Sequence, residues 1–189
     1  MNQRALGAIS LAIAAAIVVA AVAWYAVWPS HRLTSASQGP VVGKAQAGQP
    51  APEFAVATTN GLFDLKKTNK PVFLEVFATW CPHCQRETAV IDKLYRAYGS
   101  RVDFVGVSGS DTGMDNTSPA SQRDVLDWAA RFKASYPVAY DAGLSVANSY
   151  LNGGFPTIAI IGKDKNVAYL NSGELSYAEL ASALQKVLR

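Results

Sequence analysis

The chain has 189 residues, half of them apolar, with 16% charged residues and a net charge of +3. That apolar content can build one proper core without disulfide staples. The small net charge, with no basic run carrying interleaved aromatics, argues against nucleic acid as a partner.

Taken in chain order, the first feature is Ala5 to Trp28, 24 residues without a charge. As a helix this run reaches about 36 Å, enough to span a hydrocarbon core with some tilt. Trp24, Tyr25 and Trp28 at its far end suit a membrane interface. Residues 1–29 are therefore expected to be an N-terminal membrane anchor. The rival is a cleaved signal sequence, since Ala21-Val22-Ala23 fits a small-residue cleavage site, but the apolar run continues past it. The flanking charges do not decide the orientation. Residues 30–49, rich in Ser, Gln, Gly, Ala and Pro, read as a flexible tether.

The soluble domain is expected over 50–189. Two short apolar pieces around Asn60-Gly61 in 54–65 predict a hairpin. Residues 71–78, rich in Val and Phe and apolar on both faces except at Glu75, predict a central buried strand. Ile91, Leu94, Tyr95 and Tyr98 fall at helical spacing ahead of Gly99. A second strand is expected over 102–107, then a long polar loop. A helix follows, capped by Ser121, with Val125, Trp128, Ala129 and Phe132 on one face. Strands over 156–161 and 167–171 form a terminal hairpin, and Ser176 with Glu179 makes the capping box of a last helix. The order predicts an α/β sandwich: a parallel strand–helix–strand unit with helices on both faces and an antiparallel edge.

The only two cysteines, Cys81 and Cys84, stand two residues apart. A structural zinc site normally takes four Cys or His ligands, and Cys81, His83 and Cys84 are too crowded to enclose one. As a staple the pair is poor, because bridging it closes almost no loop. As a switch it is well placed: the ring opens and closes with little backbone movement. Cys81 follows a strand and precedes a helix that Pro82 suits at its first turn. A sulfur there faces unpaired N–H groups and the positive helix end, which favour thiolate over thiol. Cys81 is then the attacking sulfur and Cys84, one turn in, the resolving one. The spaced aspartates of "SDTGMD", 110–115, resemble part of a calcium loop but lack its later glutamate.

"VFLEVFATWCPHC", followed some seventy residues later by "GGFPT", resembles the thioredoxin superfamily over roughly 50–189. The preceding hairpin, the anchor and the "CxxCQRE" ending narrow the resemblance to TlpA/ResA-like membrane-anchored thiol–disulfide oxidoreductases. The resemblance implies a thioredoxin-like three-layer sandwich with an N-terminal hairpin extension, a redox-active Cys81–Cys84 disulfide, and neither cofactor nor metal. It implies a cis bond at Pro156, with Phe155 pairing its backbone with an extended substrate segment. The alternative for Pro156 is a proline that merely starts a strand.

The resemblance also places Glu75 as a buried acid beneath the cysteines. Burial raises such a group and makes it a candidate proton shuttle for Cys84, against the alternative of an edge glutamate facing solvent. Glu87 lies near the active site in related proteins, or is a solvated helix residue. Trp80 shields the sulfurs or simply packs. His83 bears on direction: Pro-His between the cysteines is also what DsbA carries, and stabilising a thiolate makes the disulfide more oxidising.

The function expected is exchange of a dithiol for a disulfide with protein substrates on the outer, periplasmic side of a bacterial cytoplasmic membrane. A reductase of the kind that serves apocytochrome c is the leading form. A DsbA-like oxidase, a peroxide-reducing redoxin and a non-catalytic tethered adaptor are the alternatives. The electron partner would be a transmembrane reductase of the CcdA/DsbD kind or a quinone-linked oxidase.

Overall fold

The computed structural model describes residues 41–189, so the expected anchor and most of the tether lie outside the described residues. Seven strands form one mixed sheet in the order β2-β1-β5-β4-β3-β6-β7. The N-terminal hairpin is β1 (Ala55–Thr58) and β2 (Gly61–Asp64), antiparallel with Thr58 opposite Gly61. Gly61 sits at φ +108, a conformation glycine adopts without steric cost, and the Thr58 hydroxyl donates to its carbonyl at 2.7 Å.

Strand β3 (Val72–Phe77) is buried along its whole length. It lies between β4 (Asp103–Ser108), parallel to it, and β6 (Thr157–Ile161), antiparallel. Its alternation serves two cores: Phe73 and Phe77 face one, Val72, Leu74 and Val76 the other. On the first face, helix α1 (Pro82–Tyr98) contributes Ile91 and Leu94, α2 (Gln122–Phe132) contributes Val125 and Trp128, and α4 (Tyr177–Val187) contributes Leu180 and Leu184. The second core takes Val146, Ala147 and Tyr150 from α3 (Ser145–Tyr150), together with Phe54 and Ala45. Ser121 caps α2 and Ser176 with Glu179 forms the capping box of α4, as the sequence predicts; Asp124 completes a second capping box at Ser121 that the sequence reading did not include.

Three features depart from the expectation. Strand β5 (Val138–Tyr140) is only three residues long, yet it joins the hairpin to the parallel strands through Thr58↔Ala139 and Val107↔Ala139. Helix α3 has no side-chain cap at Leu144. Instead the buried carboxylate of Asp141 accepts from the N–H groups of Ser145, Val146 and Ala147 at 2.8–3.0 Å. The end of the expected flexible tether is bonded to the domain: the Ala45 N–H donates to Ser149 and the Gly48 N–H to Val167, each at 2.8 Å. Ala45 is itself buried, so the domain begins about five residues ahead of the boundary at residue 50.

The polar loop after β4 is built by its aspartates. Asp115 accepts from the N–H groups of Thr117 and Ser118 and from the Ser118 hydroxyl, and Asp124 caps α2. These carboxylates close turns, and among the described residues no three potential ligands gather to hold a metal ion.

Candidate active site

The end of β3 delivers the chain to the cysteines. Cys81 is the N-cap of α1 with Pro82 at its first turn, and its Sγ accepts from the Cys84 N–H at 3.4 Å. Both cysteines are buried and both are free thiols in this structure. Helix α1 carries Cys84 inward, as its position one turn in predicts. Burial chiefly, then the Glu75 carboxylate and the hydrogen bond with Cys81, push the Cys84 thiol far above its ordinary value.

The Phe155–Pro156 bond is cis. The Phe155 carbonyl accepts the Cys81 thiol at 3.7 Å, within reach for sulfur, so the backbone ahead of Pro156 borders the Cys81 sulfur. Trp80 stands edge-on to Phe155 with ring centroids 6.0 Å apart, and its indole N–H donates to the Ser110 hydroxyl at 2.9 Å. Ser110 in turn donates to the Thr112 carbonyl and accepts that residue's N–H. Trp80 is thus a fixed wall beside the sulfurs. Ser110 is a support that sequence reading missed, because a lone serine in a polar loop carries no signal.

Two carboxyl groups are buried near the site, Glu75 on β3 and Glu87 on α1. Glu75 follows the pleat that turns Phe73 and Phe77 toward α1, and is fully buried. One oxygen accepts from the Tyr136 hydroxyl at 2.9 Å; the other has no partner. Burial is the main cause that raises Glu75 well above the carboxylate range, and the Glu87 charge adds to it. Gly106 sits opposite Glu75 on β4. A Cβ there would come 3.0 Å from the Tyr136 ring and 3.4 Å from the Glu75 carboxyl, so glycine makes the room that lets tyrosine reach the acid. Tyr136 itself gave no signal in the sequence, being one aromatic after a helix.

Glu87, on the inner face of α1, is buried rather than solvated. One oxygen accepts the Leu175 N–H at 2.7 Å and the other has no partner. Burial pushes its carboxyl up to about 7, against the lowering effect of the Leu175 hydrogen bond.

His83 is partnered by side chains at the surface. Its Nδ1 lies 3.0 Å from a Glu174 carboxylate oxygen and 2.8 Å from Arg86 Nη2. The hydrogen bonds at the Cys81 sulfur go to Cys84 and Phe155 instead. Arg86 Nη2 and Nε also reach Glu174, at 2.7 and 3.2 Å. Neither Arg86 nor Glu174 was singled out from the sequence, since nothing local joins residues 88 apart.

A strand-borne buried acid, a vicinal cysteine pair capping a helix and a cis-proline backbone on the Cys81 sulfur make this a thioredoxin-fold thiol–disulfide oxidoreductase. Comparison with known proteins agrees. A family model described as Redoxin matches residues 46–187, and the chain belongs to that family, in its TlpA/ResA-like group. The thiol–disulfide oxidoreductase ResA of Bacillus cereus is 31% identical over 149 residues, covering 76% of this chain and 80% of its own. Among solved structures, the fold is shared with a Chlorobium tepidum protein assigned as a thiol:disulfide interchange protein DsbE. That pair gives a TM-score of 0.65 at 22% identity, over 77% of this chain and all of the other. StoA from Bacillus subtilis gives 0.59 at 20% identity, over 71% and 97% of the two chains.

Proposed function

We propose that the protein works as a reductase of protein disulfides, anchored by residues 1–29 with its catalytic domain on the outer face of a bacterial cytoplasmic membrane. The observation that carries the direction is the partnering of His83. The histidine that would stabilise a Cys81 thiolate in an oxidase is engaged by Glu174 and Arg86 instead. The resolving thiol is moreover buried against a carboxyl group, which opposes accumulation of a second thiolate. ResA is a named thiol–disulfide oxidoreductase, consistent with this chemistry. The apolar run and its terminal aromatics support the anchor.

In the reducing direction the Cys81 thiolate attacks one sulfur of a substrate disulfide, forming a mixed disulfide and releasing the other sulfur as a thiolate. Cys84 gives its proton to the Glu75 carboxylate and attacks Cys81. The Cys81–Cys84 bond forms, the mixed disulfide breaks, and the substrate leaves with two electrons, its two sulfurs taking up one proton from Glu75 and one from solvent to give a dithiol. Burial raises the proton affinity of Glu75, which suits it to accept a proton from the thiol. The chain segment around Phe155 and Pro156 receives the substrate backbone as an added strand. A transmembrane reductase of the CcdA/DsbD kind would restore the dithiol, and apocytochrome c is the substrate class proposed.

Cys84→Ala tests the reading in cells. It blocks resolution, so substrates accumulate as mixed disulfides on Cys81 that reductant dissolves. Thiol labelling of the wild-type pair should find it mainly reduced. A mainly oxidised resting pair would assign the opposite direction, and no trapped species would remove the exchange chemistry altogether.

A further inference from the structure

We propose that Glu174 is a positioning residue for the redox couple: it neutralises Arg86 and anchors His83, and so keeps the positive side of the Cys-Pro-His-Cys motif from stabilising the Cys81 thiolate. The inference rests on the reductase reading and supplies its physical device.

Three side chains meet at one carboxylate. Glu174 receives Arg86 through Nη2 at 2.7 Å and through Nε at 3.2 Å from both oxygens, a forked contact that fixes orientation as well as charge. His83 Nδ1 approaches the same Oε2 at 3.0 Å. Arg86 Nη2 stands 2.8 Å from His83, two residues from Cys81, and after the Glu174 hydrogen bond the Cys81 charge helps raise the Arg86 guanidinium, so what Glu174 cancels would otherwise act beside the motif.

An ordinary surface ion pair of this exposure would matter little. This one differs because its backbone is pinned. Glu174 stands in the turn between β7 (Val167–Ser172) and α4. On one side Gly173, at φ +94, donates its N–H to the Pro156 carbonyl at 2.8 Å. On the other the Leu175 N–H donates to buried Glu87, and Ser176 begins the capping box of α4. The turn therefore ties together the cis-proline segment, the buried acid of α1 and a helix start. Glu174 is presented to His83 and Arg86 from a fixed frame, so no backbone freedom remains to be lost on forming the contact.

The sign follows from charge. Removing the carboxylate leaves Arg86 uncompensated beside the motif, favours the thiolate and makes the disulfide more oxidising. The test is the equilibrium of the purified protein with glutathione, read as a thermodynamic cycle. Glu174→Gln should move the equilibrium at least tenfold toward oxidation of glutathione, which is about 30 mV for this two-electron couple. In the His83→Ala/Arg86→Gln background the same substitution should move it less than threefold. Arg86→Gln alone, which leaves the carboxylate uncompensated, should move it in the reducing direction; this holds the test open should Glu174→Gln not fold. A shift below threefold in the wild-type background, a full shift in the doubly substituted background, or an oxidising shift from Arg86→Gln overturns the proposal. A strongly oxidising wild-type couple would instead contradict the reductase reading, and the cycle, being a ratio, would still report on Glu174.

Discussion

Glu75 and Glu87 each bury a carboxyl group with one oxygen unpartnered, a cost that a purely structural residue would not carry. For Glu75 the return we propose is proton transfer. Glu75→Gln keeps the shape and the Tyr136 contact but accepts no proton. Rapid-mixing kinetics should then show attack by Cys81 little changed and resolution by Cys84 slowed on the order of a hundredfold. Slowing of both steps alike would make Glu75 structural. For Glu87 the consequence is a pH dependence of stability. Its carboxyl is pushed up to about 7 in the folded protein, against about 4.3 unfolded. Below the lower value both states hold the proton and nothing is lost. Between the two only the folded state holds it, so stability falls as pH rises, then levels above about 7, by on the order of 3 kcal/mol at most. Melting curves of wild type and Glu87→Gln should therefore diverge across that window and run parallel above it. Curves parallel throughout would place the Glu87 charge in solvent.

At the scale of elements, what could be read in advance was what local pattern encodes. The Val- and Phe-rich run of β3, the period of α1, the Ser121 cap and the Ser176–Glu179 capping box are each local signals, and each formed as expected. Strand β5 escaped because three residues have no period and its place is set by partners at Thr58 and Val107. Helix α3 escaped because its cap comes from Asp141, three residues ahead of the αL position at Leu144. The site divides the same way. Cys81, Cys84, Glu75 and Pro156 announce themselves through spacing and family resemblance. Tyr136, Ser110, Arg86 and Glu174 enter only through tertiary contacts, across 61, 30 and 88 residues for the Tyr136–Glu75, Ser110–Trp80 and Arg86–Glu174 pairs. His83 shows the limit most directly: its identity was legible, but its partner, and hence its effect, was not.

Across the whole molecule, two cores on opposite faces of the sheet hold β3 rigid, and β3 fixes both the buried acid and the start of α1. The sulfurs emerge where α1, the cis-proline segment and the pinned turn before α4 converge. The central claim is that this arrangement yields a reducing couple despite a motif shared with DsbA. The most direct measurement is the standard reduction potential of the purified wild-type domain, from its thiol–disulfide equilibrium with glutathione. The account predicts a value nearer the −270 mV or so of thioredoxin, and a value close to the −120 mV or so of DsbA would contradict it.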